Sequence, residues 1–178
     1  MSRSDRGAPW TTFLVAAGLV LLDQSAKTIV ERSYALGEST RVMGDFFRLT
    51  HVQNPGGAFG LFRGAGDAFT ALSVFAVVLL LAAVWRYPAV GAGRVAYGLV
   101  LGGALGNLID RIRLERVVDF LDFGFGDLRW PVFNVADIAV VVGVGLFLLL
   151  SLGRGGVHAG EVRPDGEDEN DPEGAPGS

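Results

Sequence analysis

Four stretches of this chain carry no charge at all: residues 11–22, 68–85, 95–109 and 138–152. Uninterrupted apolar runs of this kind constrain the fold more than any other feature. The hydrocarbon core of a bilayer takes about 20 largely apolar residues as helix, and inside it only helices or closed barrels satisfy the backbone. The second run meets that length with its flanks. The other three meet it when Asp23, Asp110 and Asp137 stand at the membrane edge. The expectation is an all-α integral membrane protein, a bundle of four transmembrane helices. Arg3 and Arg6 ahead of "TTFLVAAGLVLL" also suit a cleavable signal peptide. The following "DQSAKTIVERS" continues helically and offers a poor cleavage site, so an uncleaved first span over residues 10–30 is expected.

Charge is distributed unevenly. The net charge is −4, but seven of the 19 acids fall in the last 18 residues. Through Leu152 the chain holds 13 basic and 12 acidic residues. Residues 153–178 are rich in Gly, Pro and acid and have almost nothing to bury, so they read as a disordered tail behind a membrane domain of residues 1–152. The absence of cysteine excludes disulfides and thiolate chemistry. His51 and His158 are too few and too scattered for a metal site, and no metal or other cofactor is expected. Neither a nucleotide-binding glycine loop nor a basic nucleic-acid patch is present.

The connections differ in character. "DFFRLTHVQN" and "VVDFLDFGFGDLRWPVF" are rich in aromatic and β-branched residues and read as strand, whereas "NPGGAFG" breaks the chain and "RYPAVGAGR" is a short turn. Four spans return the chain to its starting side. Both structured loops therefore share one face of the membrane, where a small β-rich region is expected, and both termini share the other. Positive charge leaves the orientation open. Six arginines fall on the side of the termini and eight on the side of the loops, while the short N-terminal segment leans the opposite way.

Two of the apolar runs border an Asn-x-x-Asp: Asn107 and Asp110 close the third, Asn134 and Asp137 open the fourth. A helix rises about 1.5 Å per residue, so antiparallel third and fourth spans bring both aspartates to a similar depth. Spacing of three puts each amide and its carboxylate on one helix face. Ionisable groups at membrane depth are costly and usually functional; the plainer reading is that both cap their helices at headgroup level. Gly98, Gly102 and Gly106 favour close approach of a neighbouring helix at the end that carries Asp110. Two carboxylates held together share a proton, and such a pair supplies a base for water and an acid for a carbonyl. Helix ends favour charge on Asp137 and the proton on Asp110, although the titration belongs to the pair. "GFGD", residues 124–127, matches a short motif of another class of intramembrane aspartyl proteases, but it sits between strand-like segments and reads as a turn. Asp23 and Lys27 form an i, i+4 pair, with a local ion pair and a substrate-facing role both open.

The segments "DQSAK", "NPGGAFG", "GGALGNLIDR", "VVDFLDF" and "FNVADIAV", in that order, resemble those of lipoprotein signal peptidase, also called signal peptidase II. The resemblance implies an aspartyl endopeptidase of the bacterial inner membrane. Its substrates would be prolipoproteins carrying a diacylglyceryl group, cut just before the modified cysteine. It implies Asp110 and Asp137 as the catalytic pair, with Asp23, Lys27, Asn54, Gly56, Asn107, Arg111 and Asn134 supporting the pair or binding substrate. It also implies cytoplasmic termini, an active site near the extracytoplasmic face, contact with membrane lipids, and a chain that works as a monomer without metal. Gly57 departs from the pattern, where Ala is more usual. A proton-coupled transporter would need ionisable groups near the bilayer midplane. The second span has none over residues 68–85, and the fourth has none between Asp137 and Leu152. A non-catalytic scaffold leaves the paired Asn-x-x-Asp without a purpose.

Overall fold

The computed structural model describes residues 9–56 and 66–155. Its elements run α1 (Trp10–Ser33), β1 (Ser39–Met43), β2 (Phe47–Asn54), α2 (Gly66–Arg86), α3 (Ala92–Leu114), β3 (Val117–Phe125), β4 (Leu128–Arg129) and α4 (Val135–Gly155). All four helices are long and apolar enough to cross a membrane. The all-α description is too narrow. The two structured loops combine into one antiparallel sheet of order β1-β2-β3-β4. Strand β2 from the first loop pairs with β3 from the second, so each loop satisfies the backbone groups that the other would leave open. Since α1 leads into β1 and α3 leads into β3, these two helices end at the sheet, and α2 and α4 begin there. The acidic tail expected beyond residue 152 lies outside the described residues from 156 onward.

Helix α3 is the centre of the bundle, packed against α1, α4 and α2. Its small residues make that possible. A Cβ on Gly98 would lie 2.6 Å from the Val15 Cβ, and one on Gly102 would lie 2.9 Å from the Ala16 carbonyl oxygen. Gly103, on another face of α3, is pressed in the same way against Ala136 of α4. Missing side chains let the backbones close, which is how helices gain packing energy where the surrounding lipid is as apolar as they are. The outward faces are the reverse of a soluble protein's. Leu14, Leu79, Val141 and Leu149 are exposed, while Thr12, Asp23, Lys27 and Asp110 are buried. Thr12 is satisfied by donating from its hydroxyl to the Arg94 carbonyl at 3.1 Å.

Helix α3 ends where Glu115 takes a left-handed conformation, φ 57°, and its N–H closes on the Arg111 carbonyl. That turn sends the chain directly into β3, whose residues Val117, Val118, Asp119 and Phe120 are all buried. The "GFGD" segment forms the β3–β4 turn, with Gly126 at φ 55° and its N–H donated to Asp45 Oδ2 at 2.9 Å.

Candidate active site

The site is built in two tiers at the sheet end of the bundle. The lower tier is a buried charge cluster. Asp23, Lys27 and Asp110 are each 0% exposed. The Lys27 ammonium has three N–H groups and three acceptors: Asp23 Oδ2 at 2.8 Å, Asp110 Oδ2 at 2.8 Å and Asn107 Oδ1 at 3.0 Å. Helical spacing of four places Asp23 and Lys27 side by side on α1. Gln24 adds its amide, donating to Asp110 Oδ1 at 2.9 Å and to the Gly106 carbonyl at 3.1 Å.

Each carboxylate of that cluster also grips a backbone N–H. Asp110 Oδ2 accepts from Val118 at 3.1 Å, and Asp23 Oδ1 accepts from Ala136 at 3.0 Å. Val118 immediately precedes Asp119, and Ala136 immediately precedes Asp137. One buried lysine thus ties together the two chain segments that carry the upper tier.

The upper tier contains Asp119 and Asp137 with three asparagines around them. Asp119, 3% exposed, accepts from Asn134 Nδ2 at 2.7 Å and from Asn54 Nδ2 at 3.1 Å. Asp137, half-buried at the start of α4, accepts from Asn107 Nδ2 at 2.8 Å and from the Asn134 N–H at 3.2 Å. The Asn134 side chain accepts the Asp137 N–H in return at 3.0 Å. This reciprocal pair is a capping box with Asn and Asp in the usual Ser/Thr and Glu places, and it explains the spacing of Asn-x-x-Asp on α4. Asn107 joins the tiers: its oxygen accepts from Lys27 and from Asn134 Nδ2 at 3.1 Å, while its nitrogen donates to Asp137. Asn54 is set by its own turn, accepting the Gly56 N–H at 3.1 Å. Gly56 has φ 125° and faces the Phe69 ring, so a side chain there meets both strain and collision. The half-buried Arg111 donates to the Asn107 carbonyl at 3.2 Å and lies within electrostatic reach of Asp119 and Asp137.

The geometry sets Asp110 and Asp137 in different tiers. Asp110 does not join Asp137, because Lys27, Gln24 and the Val118 N–H occupy both of its oxygens. Asp119 is linked to Asp137 instead through Asn134, which donates to both carboxylates. Burial first, and then the charge of Asp137, push the Asp119 carboxyl up from its ordinary 3.8 to about 7; Asn54, Asn134 and Lys27 hold it down. Its carboxyl therefore exchanges a proton near neutrality beside a second carboxylate, as acid–base catalysis requires. Two members of the site escaped the sequence reading, Asp119 as an acid and Gln24 altogether. A signal for Asp119 was available in "VVDF", an acid within an apolar strand, since buried acids are rare without a role. Nothing local marks Gln24. Among the described residues, no group of three or more His, Cys, Asp or Glu is placed to hold a metal ion.

Known proteins carry the same arrangement of chain. The profile of the family described as signal peptidase (SPase) II matches residues 15–153. The lipoprotein signal peptidase of Moorella thermoacetica is 46% identical over 150 residues, covering 81% of this chain and 97% of that one. That of Halothermothrix orenii is 44% identical over 139 residues, covering 77% and 92%. A solved bacterial membrane enzyme superposes with a TM-score of 0.75 at 30% identity, covering 86% of this chain and 94% of its own. With four spanning helices, an acid pair at their sheet end and a family match over most of its length, the chain belongs to the signal peptidase II family.

Proposed function

We propose that this chain is an aspartyl endopeptidase of the bacterial inner membrane that removes signal peptides from prolipoproteins. The cut falls just before the diacylglyceryl-modified cysteine. The observation that carries the reading is Asn134, which bonds both acids and so holds the buried Asp119 carboxyl, pushed up to about 7, in the field of Asp137. Two acyl chains hold such a substrate in the bilayer surface, with its scissile bond near the helix ends where this pair lies.

The pair works as one base and one acid. Asp119 carries the shared proton and Asp137 is the carboxylate, facing N–H donors at the positive end of α4. Asp137 takes a proton from water as the water oxygen attacks the scissile carbonyl carbon, and Asp119 hydrogen-bonds the carbonyl oxygen as charge develops on it. The C–N bond then breaks, the leaving nitrogen takes the proton held by Asp137, and the cysteine amine departs. Asn54, Asn107 and Asn134 orient the carboxylates, and Arg111 supplies a fixed cation for substrate carbonyl or lipid phosphate. Asp23, Lys27 and Asp110 position the pair without touching substrate. Gly56 keeps the loop that presents Asn54 in its tight form.

In this reading the sheet lies on the extracytoplasmic side and both termini in the cytoplasm. The peptidase domain covers residues 1–152, and the acidic segment from 153 is a dispensable cytoplasmic tail. In the same reading the enzyme is a monomer among membrane lipids. The test is cleavage of a diacylglyceryl-modified prolipoprotein by purified enzyme in detergent, read by gel mobility. Asp119→Asn and Asp137→Asn, both folded, should show no cleavage, whereas Asp110→Asn should be slow but active. Activity in Asp119→Asn alongside complete loss in Asp110→Asn would return Asp110 to the catalytic pair.

A further inference from the structure

One face of the sheet is apolar to its outer edge. Cross-strand partners share a face, and the register pairs Leu49 with Leu121, Phe47 with Phe123, Met43 with Phe47, and Phe125 with Leu128. Trp130 lies opposite Phe123, donating its N–H to the Phe123 carbonyl at 2.8 Å. The inner part of this face is a stack of rings, Phe47 on Phe123 at 4.6 Å and Phe123 on Phe133 at 5.7 Å. The outer part is bare, with Leu128 82%, Trp130 71%, Phe125 69% and Met43 63% exposed.

On the opposite face Val118 and Phe120 are buried, and the outer part is polar. Arg48 stands across from Asp122, Thr50 donates to Asp122 Oδ2 at 2.7 Å, and Arg129 Nε donates to Asp122 Oδ1 at 2.6 Å. A sheet in water on both sides has no reason to sort its residues in this way. So large an exposed apolar patch marks an interaction surface.

We infer that the apolar face of this sheet rests in the interfacial layer of the bilayer, as a second, non-spanning membrane contact that fixes the height of the active site. Two observations select lipid as the occupant. The first is proximity to a span. Trp130 lies five residues before the start of α4 at Val135, within about 17 Å even if that segment is fully extended, so the patch lies beside the sheet end of a helix long and apolar enough to span the membrane. The second is the position of the tryptophans. Trp10 opens α1 and Trp85 closes α2 at the opposite end of the bundle, and Trp130 stands at the sheet end. Tryptophan concentrates at both membrane–water interfaces because its ring is amphipathic. Asp119 lies on this same strand, four residues from Phe123, so seating the face in lipid holds the acid pair at headgroup depth.

The experiment uses the whole chain in phosphatidylcholine vesicles and does not depend on activity, so its outcome is separable from that of the proposed chemistry. In a Trp10→Phe/Trp85→Phe variant, Trp130 is the sole tryptophan. Lipids brominated near the headgroup should quench its emission strongly, and lipids brominated near the chain ends should quench it weakly. Because the chain has no cysteine of its own, Leu128→Cys and Arg41→Cys can each carry a polarity-sensitive dye while all three tryptophans are kept. The dye at 128 should be quenched by spin-labelled lipid at least threefold more than the dye at 41 on the polar face. Equal quenching at the two positions overturns the inference. So does quenching at 128 that appears only on binding a substrate with labelled acyl chains, since the face would then belong to substrate.

Discussion

Replacing Lys27 with Met removes the ammonium but keeps a similar unbranched stem in a fully buried position. Three interactions disappear at once: those to Asp23 and Asp110 at 2.8 Å and that to Asn107 at 3.0 Å. Two carboxylates remain buried without their cation, and leaving a buried charge unpaired costs about 3–5 kcal/mol. The effect on rate follows from what those carboxylates hold. Asp110 grips the N–H before Asp119, and Asp23 grips the N–H before Asp137. Should either strand or helix end drift by about 1 Å, rates fall on the order of 10²-fold. The assay is kcat and KM for a lipidated fluorogenic peptide across pH, with a thermal melt on the same preparation. We expect kcat to fall about 10²-fold and KM to hold within about twofold. The alkaline limb should also move upward, because Lys27 helps to hold the Asp119 carboxyl down at about 7. Burial, Asp137, Asn54 and Asn134 are the other influences on that carboxyl, and Met leaves them in place. A purely structural role would lower activity in proportion to the folded fraction and leave the pH profile unmoved. That result, or a kcat within about threefold of the parent, would refute the positioning argument.

Activity should decline as the pH rises through about 7, where Asp119 loses the proton it donates. Folded Asp119 holds that proton more tightly than the unfolded chain, so stability contributed below 3.8 is lost as the pH rises toward 7; kcat profiles and melts in matched buffers test both. Gly102→Val sets a Cβ 2.9 Å from the Ala16 carbonyl oxygen and should push α1 off α3, costing about 1–3 kcal/mol in thermal stability. For orientation, a cysteine at Arg41 should react with an impermeant thiol reagent on intact spheroplasts, and one at Ala92 only after lysis; the opposite pattern would reverse the topology. Truncation after Gly155 should leave the specific activity within about twofold, and a tenfold loss would give the acidic segment a role.

The spans, the shared side of the two loops, Asp137 and the Asp23–Lys27 pair were all legible in the sequence. Each depends on local periodicity or on the cost of charge in lipid, and both are properties of short segments. The partner of Asp137 was not legible. Spacing of three puts Asn107 and Asp110 near one face of α3, but it does not say what that face meets. The glycines of α3 draw α1 close enough for Lys27 to take both Asp110 and the oxygen of Asn107, leaving the Asn107 nitrogen for Asp137. The left-handed turn at Glu115 then brings β3 back so that Asp119, nine residues after Asp110, reaches Asn134, which also bonds Asp137. A carboxylate cannot serve both as the fixed counter-ion of a buried lysine and as an acid that exchanges protons near neutrality. Which aspartate meets Lys27 and which meets Asn134 was decided by helix packing and strand pairing between residues far apart in the chain.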